Sequence, residues 1–89
     1  MPQALISFLG YSIYFWIGDG SEPVHVHVSR KQQAGATKFW ITSDGVELAK
    51  DTGTVDKQDM KAILRYLRKN REQILSRWIQ YFHTAEVKR

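Results

Sequence analysis

The sequence predicts a single small α+β domain: an antiparallel sheet of three to four strands, then two C-terminal helices, or one kinked helix, packed on one face. Three observations carry this. Apolar and polar side chains alternate through the first half, and turn clusters separate the alternating runs. The apolar period then changes to that of a helix, and neither Gly nor Pro occurs after Gly53. The 89 residues suit one domain, with strands over about 5–49 and helices over about 56–84.

Leu5 to Phe8 reads as a short first strand, with Leu9-Gly10 as a bend or bulge. Tyr11 to Ile17 alternates, and Gly18-Asp19-Gly20-Ser21-Glu22-Pro23 is a turn cluster. Val24 to Ser29 and Ala36 to Thr42 are strands joined by the polar Arg30–Gly35 connection. Ser43-Asp44-Gly45 is another turn, and Val46 to Ala49 is a brief further pairing segment. Asp56, with Asp59 in the first turn, is expected to cap a helix carrying Met60, Ile63, Leu64 and Leu67 in one stripe. Asn70 and Gln73 resemble a second capping box, and Ile74, Leu75, Trp78, Tyr81 and Phe82 continue the stripe.

Composition narrows the function classes. The chain is 43% hydrophobic, with three Trp, four Tyr and four Phe, enough for one core and too apolar for disorder. The absence of cysteine excludes disulfides, a thiolate nucleophile and a cysteine zinc site, and suits a reducing cytoplasm. A net charge of +4 favours acidic partners, with half of the excess in the Lys88-Arg89 end. The uncharged stretch before Asp19 has no basic leader and is interrupted by polar residues, so it reads as buried structure rather than a signal or membrane anchor.

The most informative segment is Pro23-Val24-His25-Val26-His27-Val28. Successive strand side chains point to opposite faces, so the two imidazoles share the face opposite the valines. Pairing Ile17 with Val24, and Ser29 with Ala36, sets Trp16 opposite His25, Tyr14 opposite His27, His27 opposite Lys38 and His25 opposite Trp40. One face then carries Ile13, Phe15, Ile17, Val24, Val26, Val28, Phe39 and Ile41 for the helices. The other carries Ser12, Tyr14, Trp16, His25, His27, Lys38 and Trp40, and is expected to stay available, with both imidazoles facing outward.

Tyr14, Trp16, His25, His27, Lys38 and Trp40 have the composition of a binding surface: aromatic planes, imidazoles and a cation, able to engage nucleic acid or a partner protein. Cross-strand packing alone is the plain alternative. Acid–base chemistry is the enzymatic alternative, with His25 and His27 moving protons and Lys38 stabilising phosphorane charge in a metal-independent ribonuclease. Metal binding needs a third ligand, and Asp19, Glu22, Glu47 and His83 are candidates without spacing support. No metal and no cofactor is therefore assigned. Lys57, Lys61, Arg65 and Arg68 read as a solvated helix face, and Trp78 as a core anchor.

The chain resembles a bacterial family of unknown function, numbered forty-one-sixty, through Phe8-Leu9-Gly10-Tyr11, Tyr14-Phe15, the Pro23–Val28 segment and Ala36-Thr37-Lys38-Phe39-Trp40. The Met1-Pro2 start, Val46-Glu47-Leu48-Ala49, Gly53 and Asn70-Arg71-Glu72 with Leu75, Trp78 and Phe82 extend the likeness over nearly the whole sequence. Relatives usually show two prolines before the first histidine and a more acidic or His-containing turn. Glu22-Pro23-Val24 and Gly18-Asp19-Gly20 stand in those places here. The resemblance implies a small cytoplasmic protein encoded beside another short protein, in pairs that look like toxin–antitoxin modules. The expectation is a binding protein that engages this partner, or RNA or DNA, with the endoribonuclease toxin as alternative. No membrane association is expected, and a second copy could pair at the sheet edge.

Overall fold

The structure is a computed structural model describing residues 2–83 and Val87, with side chains described for 6–16, 18–83 and Val87. Expectations placed on Met1, on Lys88-Arg89 and on the inward side chain of Ile17 lie outside the described residues.

Five strands form one antiparallel sheet in sequence order: β1 (Pro2–Phe8), β2 (Tyr11–Trp16), β3 (His25–Ser29), β4 (Thr37–Ile41) and β5 (Val46–Lys50). The count exceeds the three to four expected because the first segment pairs along its length with β2, from Pro2–Trp16 to Phe8–Tyr11, with an irregularity at Leu5. Leu9 and Gly10 make a two-residue hairpin turn rather than a bulge. Both have positive φ, 52° and 81°, which matches the right-handed twist of the flanking strands.

A 3₁₀ turn at Lys57–Asp59 leads into α1 (Met60–Lys69), and α2 (Arg71–Phe82) follows. Asn70 alone separates the helices. Its N–H bonds to the Tyr66 carbonyl, and its own carbonyl accepts from Ile74 N–H, so the chain barely leaves helical geometry. The expected caps do not form. The Asn70 amide points back to the Tyr66 carbonyl at 2.9 Å. The Asp56 and Asp59 carboxylates are drawn into tertiary contacts, the first with Arg30 and the second with the Tyr11 hydroxyl at 2.7 Å. Arg30 also stacks over the Tyr11 ring, which ties the hairpin end of β2 to the start of the helices. His83, with φ 64°, ends α2 in the left-handed conformation.

The apolar face of the sheet buries Tyr11, Ile13, Phe15, Val26, Val28, Phe39 and Ile41 against Ile63 and Leu67 of α1 and Ile74 and Trp78 of α2. Fully burying each such aliphatic or aromatic side chain stabilises by about 1.5–3 kcal/mol before entropy is counted. Trp78 is the core anchor the stripe predicts. The opposite face is less open than expected. Its Tyr14 is completely buried under the β3–β4 connection, where the phenol accepts from Gln33 N–H at 3.0 Å and lies 2.8 Å from the Gln33 carbonyl.

Candidate functional site

The strand parity places Tyr14 opposite His27, His27 opposite Lys38 and His25 opposite Trp40. The β2–β3 ladder runs only from Ser12–Ser29 to Tyr14–His27, so Trp16 and His25 are not a ladder pair. Beyond that point β2 turns into a 3₁₀ segment, Ile17–Ser21, and the strands part. Trp78 reaches this gap from α2, with its ring 5.0 Å from Phe15 and 5.4 Å from His25.

The six residues expected to form a binding surface therefore divide. Tyr14 and His25 are fully buried, while Trp16, His27, Lys38 and Trp40 keep partial exposure. The expectation that both imidazoles look outward fails for His25, which is 0% exposed. It is enclosed by Trp40, Trp78 and His27, and by the 3₁₀ segment that folds over it.

That segment supplies the residue sequence reasoning left unplaced. Asp19 Oδ2 lies 3.0 Å from His25 Nε2 and 3.3 Å from His27 Nε2. The same oxygen accepts the Trp16 N–H at 2.8 Å, and the Asp19 carbonyl accepts Glu22 N–H, so the carboxylate is held by its own turn. One ligand atom each from Asp19, His25 and His27 falls within 4.8 Å of the other two. The available signal was a short acidic side chain in a Gly-flanked turn directly before the histidines. Spacing alone could not say that a 3₁₀ turn would fold it back.

Burial pushes the Asp19 carboxyl upward, but contacts with His25, His27 and the Trp16 N–H outweigh it and hold the group well below the usual carboxylate range. The carboxylate is thus ionised beside two imidazoles. His25 Nδ1 lies 2.8 Å from the Pro23 carbonyl, an acceptor only, so Nδ1 carries a proton and Nε2 is turned toward Asp19. His25 Nε2 and both nitrogens of His27 are buried without a hydrogen-bonding partner.

Around this centre, the Lys38 ammonium sits 4.3 Å from the centroid of the Trp40 ring and pairs with Glu22. Glu47 stands opposite Trp40 on β5 and His83 caps the C-terminus of α2; neither joins Asp19, His25 and His27 in the cluster. Lys57, Lys61, Arg65 and Arg68 are exposed on the helical layer, the solvated face expected of them. Among the described residues no helix is long and apolar enough to cross a membrane.

A family model described as "Domain of unknown function (DUF4160)" matches residues 10–79, from the β1–β2 turn into α2. No curated protein and no solved structure shows significant similarity to the chain. The matched span takes in Asp19, both strand histidines, Lys38, Trp40 and Trp78, and covers well over half of the sequence; the chain belongs to the DUF4160 family.

Proposed function

We propose that this protein is a small cytoplasmic binding protein, one member of a two-protein module of toxin–antitoxin type, and that it engages its partner through the rim formed by Trp16, His27, Lys38 and Trp40. The observation that carries the reading is the Lys38 ammonium held over the Trp40 ring, beside His27, on the face opposite the helical core. Aromatic planes with a fixed cation are typical anchors of protein interfaces. The Glu22 carboxylate paired with Lys38, and the Asp19 carboxylate against His27, favour a protein partner over a phosphate backbone, since they add negative charge to the rim.

The endoribonuclease reading has less support. It needs two imidazoles in reach of the same phosphodiester, and His25 has no exposed surface. Mixing the chain with the product of the neighbouring gene tests the binding reading. A stable complex with the wild type, lost with a folded Lys38→Ala/Trp40→Ala variant, supports it. A complex unaffected by that variant contradicts it. RNA cleavage by the wild type that disappears in His27→Ala would favour the enzyme.

A further inference from the structure

We propose that Asp19 Oδ2, His25 Nε2 and His27 Nε2 form a three-ligand site for a divalent first-row transition ion of the zinc class. This goes beyond the binding reading and does not depend on it.

The first support is the nitrogen inventory. His25 turns Nδ1 to the Pro23 carbonyl, an acceptor only, which leaves Nε2 as the ring nitrogen that faces the Asp19 carboxylate at 3.0 Å. A cation between a ring nitrogen and a carboxylate oxygen binds both at once. His27 Nε2 approaches the same oxygen at 3.3 Å, and both nitrogens of that ring are buried without partners. Neither Nε2 contact has hydrogen-bond geometry, although both distances would allow one. One cation shared by three ligands accounts for both rings together.

Spacing is the second support. Ligand bonds of about 2.0–2.1 Å arranged tetrahedrally put neighbouring donor atoms about 3.3 Å apart. The two carboxylate–imidazole separations are 3.0 and 3.3 Å. All three ligand atoms lie within 4.8 Å of one another.

The surroundings are the third. A metal-bound histidine ordinarily donates its other N–H to a carbonyl or carboxylate, and a ligating carboxylate is itself hydrogen-bonded. Pro23 O plays the first part toward His25 and Trp16 N–H the second toward Asp19. Trp40 and Trp78 wall the rear of the site. The side chains of Asp19 and His27 retain 14% and 13% exposure, which leaves one side for a fourth ligand from solvent. Three protein ligands with one open position is the pattern of reactive rather than purely structural zinc sites. Two imidazoles among three donors favour late transition ions over magnesium or calcium, which take oxygen ligands.

The test uses the full chain with no affinity tag, stripped of metal and titrated with zinc against a chromogenic chelator, with elemental analysis of the loaded protein. The expected result is one zinc per chain, with affinity weakened at least about tenfold in both Asp19→Asn and His27→Ala. Those two positions are chosen because His25, fully buried, is the one whose loss threatens folding. Asn keeps an acceptor for the Trp16 N–H, and circular dichroism checks each variant's fold. Cobalt(II) in place of zinc should give visible d–d bands that both substitutions abolish. Failure of the folded wild type to bind zinc or cobalt, binding that survives both substitutions, or equal affinity for magnesium would overturn the proposal.

Discussion

The Pro23 carbonyl stands 2.8 Å from Nδ1 of His25, and this contact decides which nitrogen of the ring faces Asp19. Two positions of one strand thereby acquire different roles. His25 is a buried ring held through Nδ1, whereas His27, two residues on, lies at the partly exposed edge of the same cluster.

The two histidines are therefore expected to separate in stability measurements on metal-free protein. His25→Ala leaves a cavity between Trp40 and Trp78 and should cost about 2–5 kcal/mol. His27→Ala should cost about 1 kcal/mol or less. Urea denaturation of both variants reads this ordering directly, and equal losses would contradict it.

Gly20 is a point where α2 bears on the site loop. A Cβ built there would lie 2.6 Å from Phe82 Cδ1, closer than packing allows, so the ring or the loop must shift. Gly20→Ala should destabilise by about 1–3 kcal/mol, and Phe82→Leu in the same chain should recover part of that loss. A double-mutant cycle measures the coupling, and strictly additive effects would show that helix and loop are independent.

Tyr11 gives a prediction on the alkaline side. Burial pushes its hydroxyl above the ordinary value of 10.0, helped by the bond to Asp59. A group whose folded value is raised contributes stability that is present below the unfolded value and is lost as pH rises toward the folded one. Tyr11→Phe removes the hydroxyl contacts to Asp59 and to Asp56 N–H and should cost about 1–3 kcal/mol at neutral pH. The gap between wild type and variant should narrow at about pH 11. Denaturation curves at both pH values check it, and a constant gap would refute the assignment.

Leu9 holds φ 52° in the β1–β2 turn and is 53% exposed. A left-handed conformation costs a side chain such as Leu about 1–2 kcal/mol, and Asn relieves much of this by bonding locally. Leu9→Asn should raise stability by about 0.5–1 kcal/mol, seen as a higher urea midpoint with unchanged slope. A lower midpoint would mean that Leu9 packs more than its exposure indicates.

Much of the fold was legible because periodicity registers the core. The alternation of Ile13, Phe15, Val24, Val26, Val28, Phe39 and Ile41 defined the buried face, and Ile63, Leu67, Ile74 and Trp78 marked the helical side. Parity also gave the Tyr14–His27, His27–Lys38 and His25–Trp40 pairings. What local pattern could not supply was three-dimensional closure. Nothing near Tyr14 in the chain indicates that Gln33 will cover it, and nothing in the capping signals of Asp56 and Asp59 indicates that Arg30 and Tyr11 will claim them. Asp19 was visible as a turn residue, but its meeting with both imidazoles depends on a 3₁₀ turn that ends the β2–β3 ladder early.

X-ray absorption at the zinc edge of the loaded, tag-free chain tests the Asp19–His25–His27 centre most directly. Outer-shell imidazole scattering counts the histidine ligands. The account predicts two, with the remaining first-shell scatterers fitting oxygen at about 2.0–2.1 Å. A zinc shell with oxygen ligands alone, or with a single imidazole, would contradict it.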